Sequence, residues 1–365
     1  MSTSTGDRIE VDYRITGGDP EQIAEAIRVE QTIEFPFDLA PAWIQKEVVG
    51  HIAEVSDNTV TIAYHPGVAG GGLPQLLNLL WGNVSLFPGV RVTDLRLPDS
   101  ILNQFSGPRF GVAGLRDLFE APTRPLLCTA IKPMGSTPDE LAEMARTLAT
   151  AGFDIIKDDH GLADQPWALW KERVAEVATR VTEAAAAAET NAVYMPSMNV
   201  TSDRLTEAAF FAKEAGAGAL LVLPGICGFD AMRALADNDD LGLPIMAHPS
   251  LLGSNVVNPT QGLNHGVLFG TIMRLAGADI SIFPNYGGRF SFSPEECADI
   301  KNHCLAPLAD LSAAWPSPGG GMTLDRIDEL LEFYGTDVAL LIGGALHRGD
   351  LVRNASELVE RVRPL

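Results

Sequence analysis

From residue 124 onward the chain repeats one pattern, a short apolar β-type run followed by a longer helical stretch, often rich in alanine. The runs are Pro125 to Ile131, Phe153 to Lys157, Ala192 to Met198, Ala219 to Leu223, Pro244 to Ala247, Asp279 to Phe283, Ala313 to Pro316 and Val338 to Ile342. Consecutive parallel strands need a crossover, and a helix supplies it, so this alternation predicts βαβ units. Eight units, spaced roughly 25 to 35 residues apart, suit an α/β fold of the (β/α)8 TIM-barrel type. The run at Ala313 is the weakest, and without it an open sheet of seven strands is the alternative.

Upstream, Arg8 to Tyr13 alternates like a strand, Pro20 to Glu30 reads as a helix, and Val48 to Tyr64 reads as a hairpin turning at Asp57-Asn58. Gly70-Gly71-Gly72 precedes a short helix at Leu73 to Leu80. The expected organisation is a smaller N-terminal α+β domain of ferredoxin-like type over residues 1–115, then a barrel domain over residues 116–365.

A formal charge of −21 argues against nucleic acid or an anionic membrane as partner, since either demands a basic face. A phosphorylated metabolite stays possible, held by local devices such as glycine-loop amides, a metal or one placed lysine. No long apolar span and no signal-peptide pattern is present, so a cytoplasmic location is expected. Cys128, Cys227, Cys297 and Cys304 form no CxxC pair and are expected to be reduced thiols.

Polar and glycine residues follow the predicted strands: Lys132-Pro133, Asp158-Asp159-His160, Asn199, His248, Asn285, Gly319-Gly320-Gly321 and Gly343-Gly344. Barrels do their chemistry at the carboxyl ends of strands, and the loops after strands 7 and 8 commonly bind phosphate. Within Ile155 to His160, strand alternation directs Lys157 and Asp159 into the barrel mouth and Asp158 away from it. An unpaired ammonium there is costly to bury. Two arrangements relieve the cost: a Lys157 to Asp159 ion pair at the rim, or a neutral Lys157 amine carrying CO2 as a carbamate. With Asp159, that carbamate would suit a hard cation such as Mg2+.

Arg124-Pro125-Leu126-Leu127 with Ile131-Lys132-Pro133, then Gly152-Phe153-Asp154 through Lys157-Asp158-Asp159, resembles the signature of the RuBisCO large subunit. Gly82-Asn83-Val84, Gly107-Pro108-Arg109-Phe110-Gly111-Val112 and Ile342-Gly343-Gly344 resemble it too, in the same order, with a further match at Glu30-Gln31-Thr32. The resemblance implies that Lys157 is the carbamylated lysine (N6-carboxylysine), that Asp159 is a metal-ligating aspartate, and that Mg2+ and activating CO2 are the cofactors. It implies that Lys132 assists proton removal, and that Asn199 and His248 line the site, His248 among the catalytic groups. Gly319, Gly320, Gly321, Gly343 and Gly344 would bind substrate. Glu30, Thr32 and Asn83 would do so from the N-terminal domain of a second subunit, which implies a homodimer with a shared active site.

Departures from the family narrow the chemistry. Loop 6, Pro284 to Phe290, lacks the lysine that closes over CO2, and Met134 replaces the second lysine of the Lys-Pro-Lys motif. Pro249 stands for an arginine and Gly319 for a serine, which weakens one of two phosphate sites; Arg289 either replaces a lost contact or is a solvated loop residue. His160 occupies the place of the third, glutamate ligand and either binds the metal or hydrogen-bonds a ligand from outside. A RuBisCO-like protein without CO2 fixation follows, doing enolate chemistry on a keto-sugar monophosphate. The expected reaction is carbon–carbon cleavage, by decarboxylation or hydrolysis, of a 3-oxo acid such as 3-oxoisoapionate 4-phosphate in apiose catabolism, since no apolar addition for a methylthio group is evident. The alternatives are isomerisation of 5-methylthioribulose 1-phosphate in methionine salvage, and a non-catalytic binding paralogue. The family's 2,3-diketo-5-methylthiopentyl-1-phosphate enolases use a lysine where this chain has Asn83, which counts against that activity.

Overall fold

Each of the eight apolar runs becomes a strand. In the computed structural model, which describes residues 7–364, the barrel strands are β1 (Leu126–Ile131), β2 (Ile155–Asp158), β3 (Val193–Met195) and β4 (Leu220–Val222). They continue with β5 (Ile245–Ala247), β6 (Ile280–Pro284), β7 (Trp315–Gly319) and β8 (Ala339–Leu341). All ladders between them are parallel: β1 with β2, β2 with β3, β4 with β5, β5 with β6, β6 with β7, and β8 with β1. A single bridge, Ser197 to Leu221, joins the β3 side to β4.

The seventh strand explains its own weak sequence signal. It reads Trp-Pro-Ser-Pro-Gly, and proline has no N–H to give a ladder. In a parallel strand alternate residues face opposite neighbours. The Trp315 N–H donates to Asp279 O at 2.8 Å and Gly319 O accepts from Asn285 N at 2.8 Å, so these positions face β6. Pro316 and Pro318 occupy the positions facing β8, where no ladder forms among the described residues. Ser317 Oγ stitches that seam instead, donating to Ala339 O at 2.9 Å.

Inward side chains fill the barrel with apolar bulk: Leu126, Cys128, Ile155, Met195, Leu221, Met246, Ile280, Ile282 and Trp315 share one buried cluster. Leu115, within the helix Gly111–Leu118, and Phe119 and Ala121 after it belong to the same cluster and close the amino-terminal end. That end is tied by buried carboxylates. Asp154 takes both Arg124 guanidinium nitrogens at 2.7 Å and the Leu127 N–H at 2.8 Å. Asp279 accepts from the N–H groups of Phe110, Gly111 and Ile245.

The chain forms two compact units. One holds the barrel. The other contains the described residues up to Ser106 together with Leu252–Leu268 and Pro307–Leu311. It is α+β, with a sheet in the order Gly262–Leu263, Val90–Arg96, Ile9–Ile15, Thr59–Tyr64, His51–Ser56, antiparallel except at the short first strand. Its helices Pro20–Glu30 and Leu73–Trp81 fall where the sequence pattern puts them. Among the described residues no helix is long and apolar enough to cross a membrane.

Removing one partner of a buried ion pair leaves the other charge uncompensated, at a cost of about 3–5 kcal/mol. Asp154→Ala should therefore lower the unfolding free energy by about that amount. The measurement is denaturant unfolding of the variant beside the parent protein.

Candidate active site

β2 delivers the central residues by its alternation. Asp158 turns outward and is wholly buried, accepting from Tyr194 Oη at 2.7 Å, Ser197 N at 3.0 Å and Arg173 Nη2 at 3.2 Å. Burial pushes its carboxyl up, and the Arg173 guanidinium opposes that. Lys157 turns inward, opposite Ala130 of β1 and Met195 of β3, and only 3% of it is exposed. Among the described residues its Nζ has one hydrogen-bond acceptor, the Asp158 carbonyl oxygen at 3.0 Å. Burial pushes the amine below the ordinary lysine range; the neighbouring Cys128 and Asp159 pull it back in part.

The rim pair between Lys157 and Asp159, one of the two arrangements the sequence left open, does not form. Asp159 instead takes Lys132, Nζ to Oδ2 at 2.8 Å. Burial raises the Asp159 carboxyl, but the hydrogen bond and charge of Lys132, with Lys157 behind it, bring it down to about 2. A physical reason for the exchange lies in register: Lys132 stands one residue beyond β1 and reaches across from a partly open position, whereas Lys157 is held deep by its strand.

His160 continues the cluster. Its Nδ1 lies 3.3 Å from Asp159 Oδ1, and its ring stacks on His248 with centroids 4.4 Å apart and planes 15° apart. Burial lowers the His160 pKa, opposed by Asp159 and helped by Lys157, Lys132 and Arg289. Burial and then Lys157 hold His248 well below the imidazole range. Asn199 Nδ2 reaches the His160 carbonyl only at 3.5 Å, the outer limit of a hydrogen bond.

The glycine loops lie at the same end. Gly320 and Gly321 take φ of 85° and 112°, a conformation that favours glycine. Among the described residues the amides of Gly320, Gly321, Gly343 and Gly344 have no protein acceptor. A carbon added at Gly343 would stand 3.5 Å from Lys132 Nζ, so that amine overlies the loop after β8. Gly319 ends β7, and a carbon added there would press on Leu341 at 3.0 Å.

Other predicted residues fall elsewhere. Glu30 and Asn83 meet within the N-terminal unit, Asn83 Nδ2 donating to Glu30 Oε1 at 2.8 Å, while Thr32 Oγ1 donates to Arg28 O at 2.6 Å. Asn285 is buried and committed to structure: it accepts from Tyr334 Oη at 2.6 Å and donates to Tyr286 O at 3.0 Å. Two residues at the mouth escaped sequence reasoning. Ser250 lies against His248 Nδ1, and only the short spacing His-Pro-Ser could have signalled it. Met134, read only as a lost charge, is 51% exposed, with its Cε 3.1 Å from where a carbon on Gly161 would stand.

The donor set suits a hard divalent ion only with help. Among the described residues no three His, Cys, Asp or Glu side chains converge on a cation site. Asp159 and His160 supply two neighbouring donors, and a carbamate on the neutral Lys157 amine would add anionic oxygens. A lowered amine pKa leaves more free base at a given pH, so Lys157 should take up CO2 at lower pH than an exposed lysine. A carbon NMR spectrum of protein equilibrated with labelled bicarbonate and Mg2+ near pH 7.5, a working value chosen above the histidine range, should show one carbamate carbon. Lys157→Gln should lack it.

The catalytic-domain model of the ribulose bisphosphate carboxylase large chain matches residues 111–284. Ribulose bisphosphate carboxylase-like protein 1 of Rhodopseudomonas palustris is 38% identical, over 93% of this chain and 93% of the relative. The 5-methylthioribulose-1-phosphate isomerase of Rhodospirillum rubrum is 38% identical, over 93% of this chain and 91% of the relative. A crystal structure of a Rubisco-like protein from Rhodopseudomonas palustris superimposes with a TM-score of 0.88 at 37% identity, covering 98% of both chains. The barrel, the mouth on β2 and these likenesses along nearly the whole chain agree: the protein belongs to the RuBisCO large-chain family, among its RuBisCO-like members.

Proposed function

We propose that this chain enolises a keto-sugar carrying one phosphate and returns the proton to a different carbon, an isomerisation with no CO2 fixed, and that 5-methylthioribulose 1-phosphate is its substrate. The observation that carries the reading is Met134. Sequence reasoning favoured cleavage of a 3-oxo acid because no apolar partner for a methylthio group was evident. An exposed thioether beside the Asp159–Gly161 turn supplies one, and Phe290, packed over Gly320, supplies an apolar ring. The likeness to an isomerase of that substrate points the same way.

Each group has a task in this reading. Lys157 as carbamate, Asp159 and His160 would hold Mg2+, which supplies Lewis-acid stabilisation of an enolate oxygen, worth several kcal/mol. Lys132, held by Asp159 beside the Gly343 loop, would move the proton at the carbon beside the carbonyl. The open amides of Gly320, Gly321, Gly343 and Gly344 hold the phosphate. Arg289 is the cation of loop 6 near the mouth, close enough to depress His160.

A second copy of the chain would supply Glu30, Thr32 and Asn83. Phe35, Leu39, Trp43 and Leu86, near them in sequence, are exposed apolar side chains, Trp43 by 64% and Leu86 by 80%. Sedimentation should find a dimer at micromolar concentration, and Trp43→Asp should yield inactive monomers. A stable, active monomer would contradict the shared site.

The reaction is tested in D2O with Mg2+ and bicarbonate. 5-Methylthioribulose 1-phosphate should exchange a carbon-bound hydrogen with solvent and give an isomeric phosphate without CO2 release. Ribulose 1,5-bisphosphate should incorporate no labelled CO2 into acid-stable product. Cleavage of 3-oxoisoapionate 4-phosphate without isomerase activity would move the assignment to a lyase or hydrolase, and inertness toward every keto-sugar phosphate would favour a binding paralogue.

A further inference from the structure

The sequence His248-Pro249-Ser250 places a turn directly after β5, where the family resemblance leads one to expect an arginine at position 249. Proline fixes φ near −65° and carries no N–H, so the first backbone donor beyond His248 belongs to residue 250. That N–H points back to His248 Nδ1 at 3.2 Å, and Ser250 Oγ lies 2.9 Å from the same nitrogen. The device recurs in this chain. In His65-Pro66-Gly67 the Gly67 N–H reaches His65 Nδ1 at 3.0 Å. Two His-Pro-X segments in different surroundings closing the same way mark the turn as locally encoded; the site copy adds the hydroxyl.

A backbone N–H can only donate. Nδ1 of His248 must therefore offer its lone pair, and the ring proton sits on Nε2. Among the described residues Nε2 has no protein partner, and the ring stacks on His160. We propose that the His248-Pro249-Ser250 turn locks His248 in the Nε2-protonated tautomer, making it a hydrogen-bond donor to a substrate oxygen, with Ser250 as the positioning residue. A bare Nε2 would instead offer a lone pair to the metal or to a substrate proton, and the turn selects against both. The substrate-facing part of this inference rests on the enolisation reading; the tautomer does not.

The experiment uses full-length protein with its seven histidines labelled with 15N, His248 being assigned by its loss in His248→Gln. Two-bond proton–nitrogen correlation spectra reveal which ring nitrogen carries the proton, without substrate. His248 should show a single tautomer, protonated at Nε2. Ser250→Thr and Ser250→Ala, which both retain the backbone donor, should keep it, whereas Ser250→Pro, which removes that N–H, should show exchange between tautomers. In the deuterium-exchange assay, Ser250→Ala should lose roughly tenfold in kcat, the equivalent of one hydrogen bond, with KM little changed. A wild-type His248 protonated at Nδ1, or a Ser250→Pro spectrum identical to the parent, overturns the proposal. Failure of every ketose phosphate to react would sink the proposed function while the spectra still decide the tautomer.

Discussion

The burial of one lysine amine governs the mouth of this barrel. Lys157 stands on the inner face of β2 with almost no exposure, and an ammonium there lacks the carboxylate partner that would compensate it, because Asp159 is taken by Lys132. A charge in that position is expensive, so burial shifts the amine toward its neutral form. Neutrality is also what makes the amine able to capture CO2. The ion pair that sequence spacing suggested would have removed this property; the Lys132 to Asp159 pair preserves it and supplies an ionised carboxylate next door.

The two ends of the barrel divide the labour. At the amino-terminal end, Asp154 and Asp279 spend their oxygens on backbone amides and on Arg124, and the helix Gly111–Leu118 seals the core. Asp158, one residue from Lys157, belongs to this structural class although it lies at the chemical end: Arg173, Tyr194 and the Ser197 amide consume it outside the barrel. Its role is to hold β2 in register, and so to aim Lys157. At the carboxyl end, polar groups are left partly unspent. The prolines of β7 remove the ladder to β8, and the glycine amides beyond that seam remain free for an anion.

Local chemistry made much of this legible. Short apolar runs and helical spacers marked eight strands, including the proline-rich seventh, and the helix Pro20–Glu30 and the hairpin at Asp57 follow from patterns a few residues long. Alternation alone also separated Asp158 from Lys157 and Asp159. Asn285, by contrast, looked like a site residue because it follows β6, yet Tyr334, 49 residues on, turns it into a buried structural bond. Met134 read as a lost charge; its exposure beside Gly161 is a property of two loops meeting.

What the sequence by itself determined is therefore the set of strands, the residues at their ends and the face each side chain takes, since all of these depend on geometry that repeats within a few residues. The His-Pro-Ser turn belongs to this group too. Tertiary structure alone decided the pairings: Lys132 rather than Lys157 on Asp159, His160 stacked on His248, and the unladdered seam between β7 and β8. Such contacts join residues dozens of positions apart, and their outcome turns on differences of an ångström in reach and on which partner is already buried. No pattern along the chain carries that information.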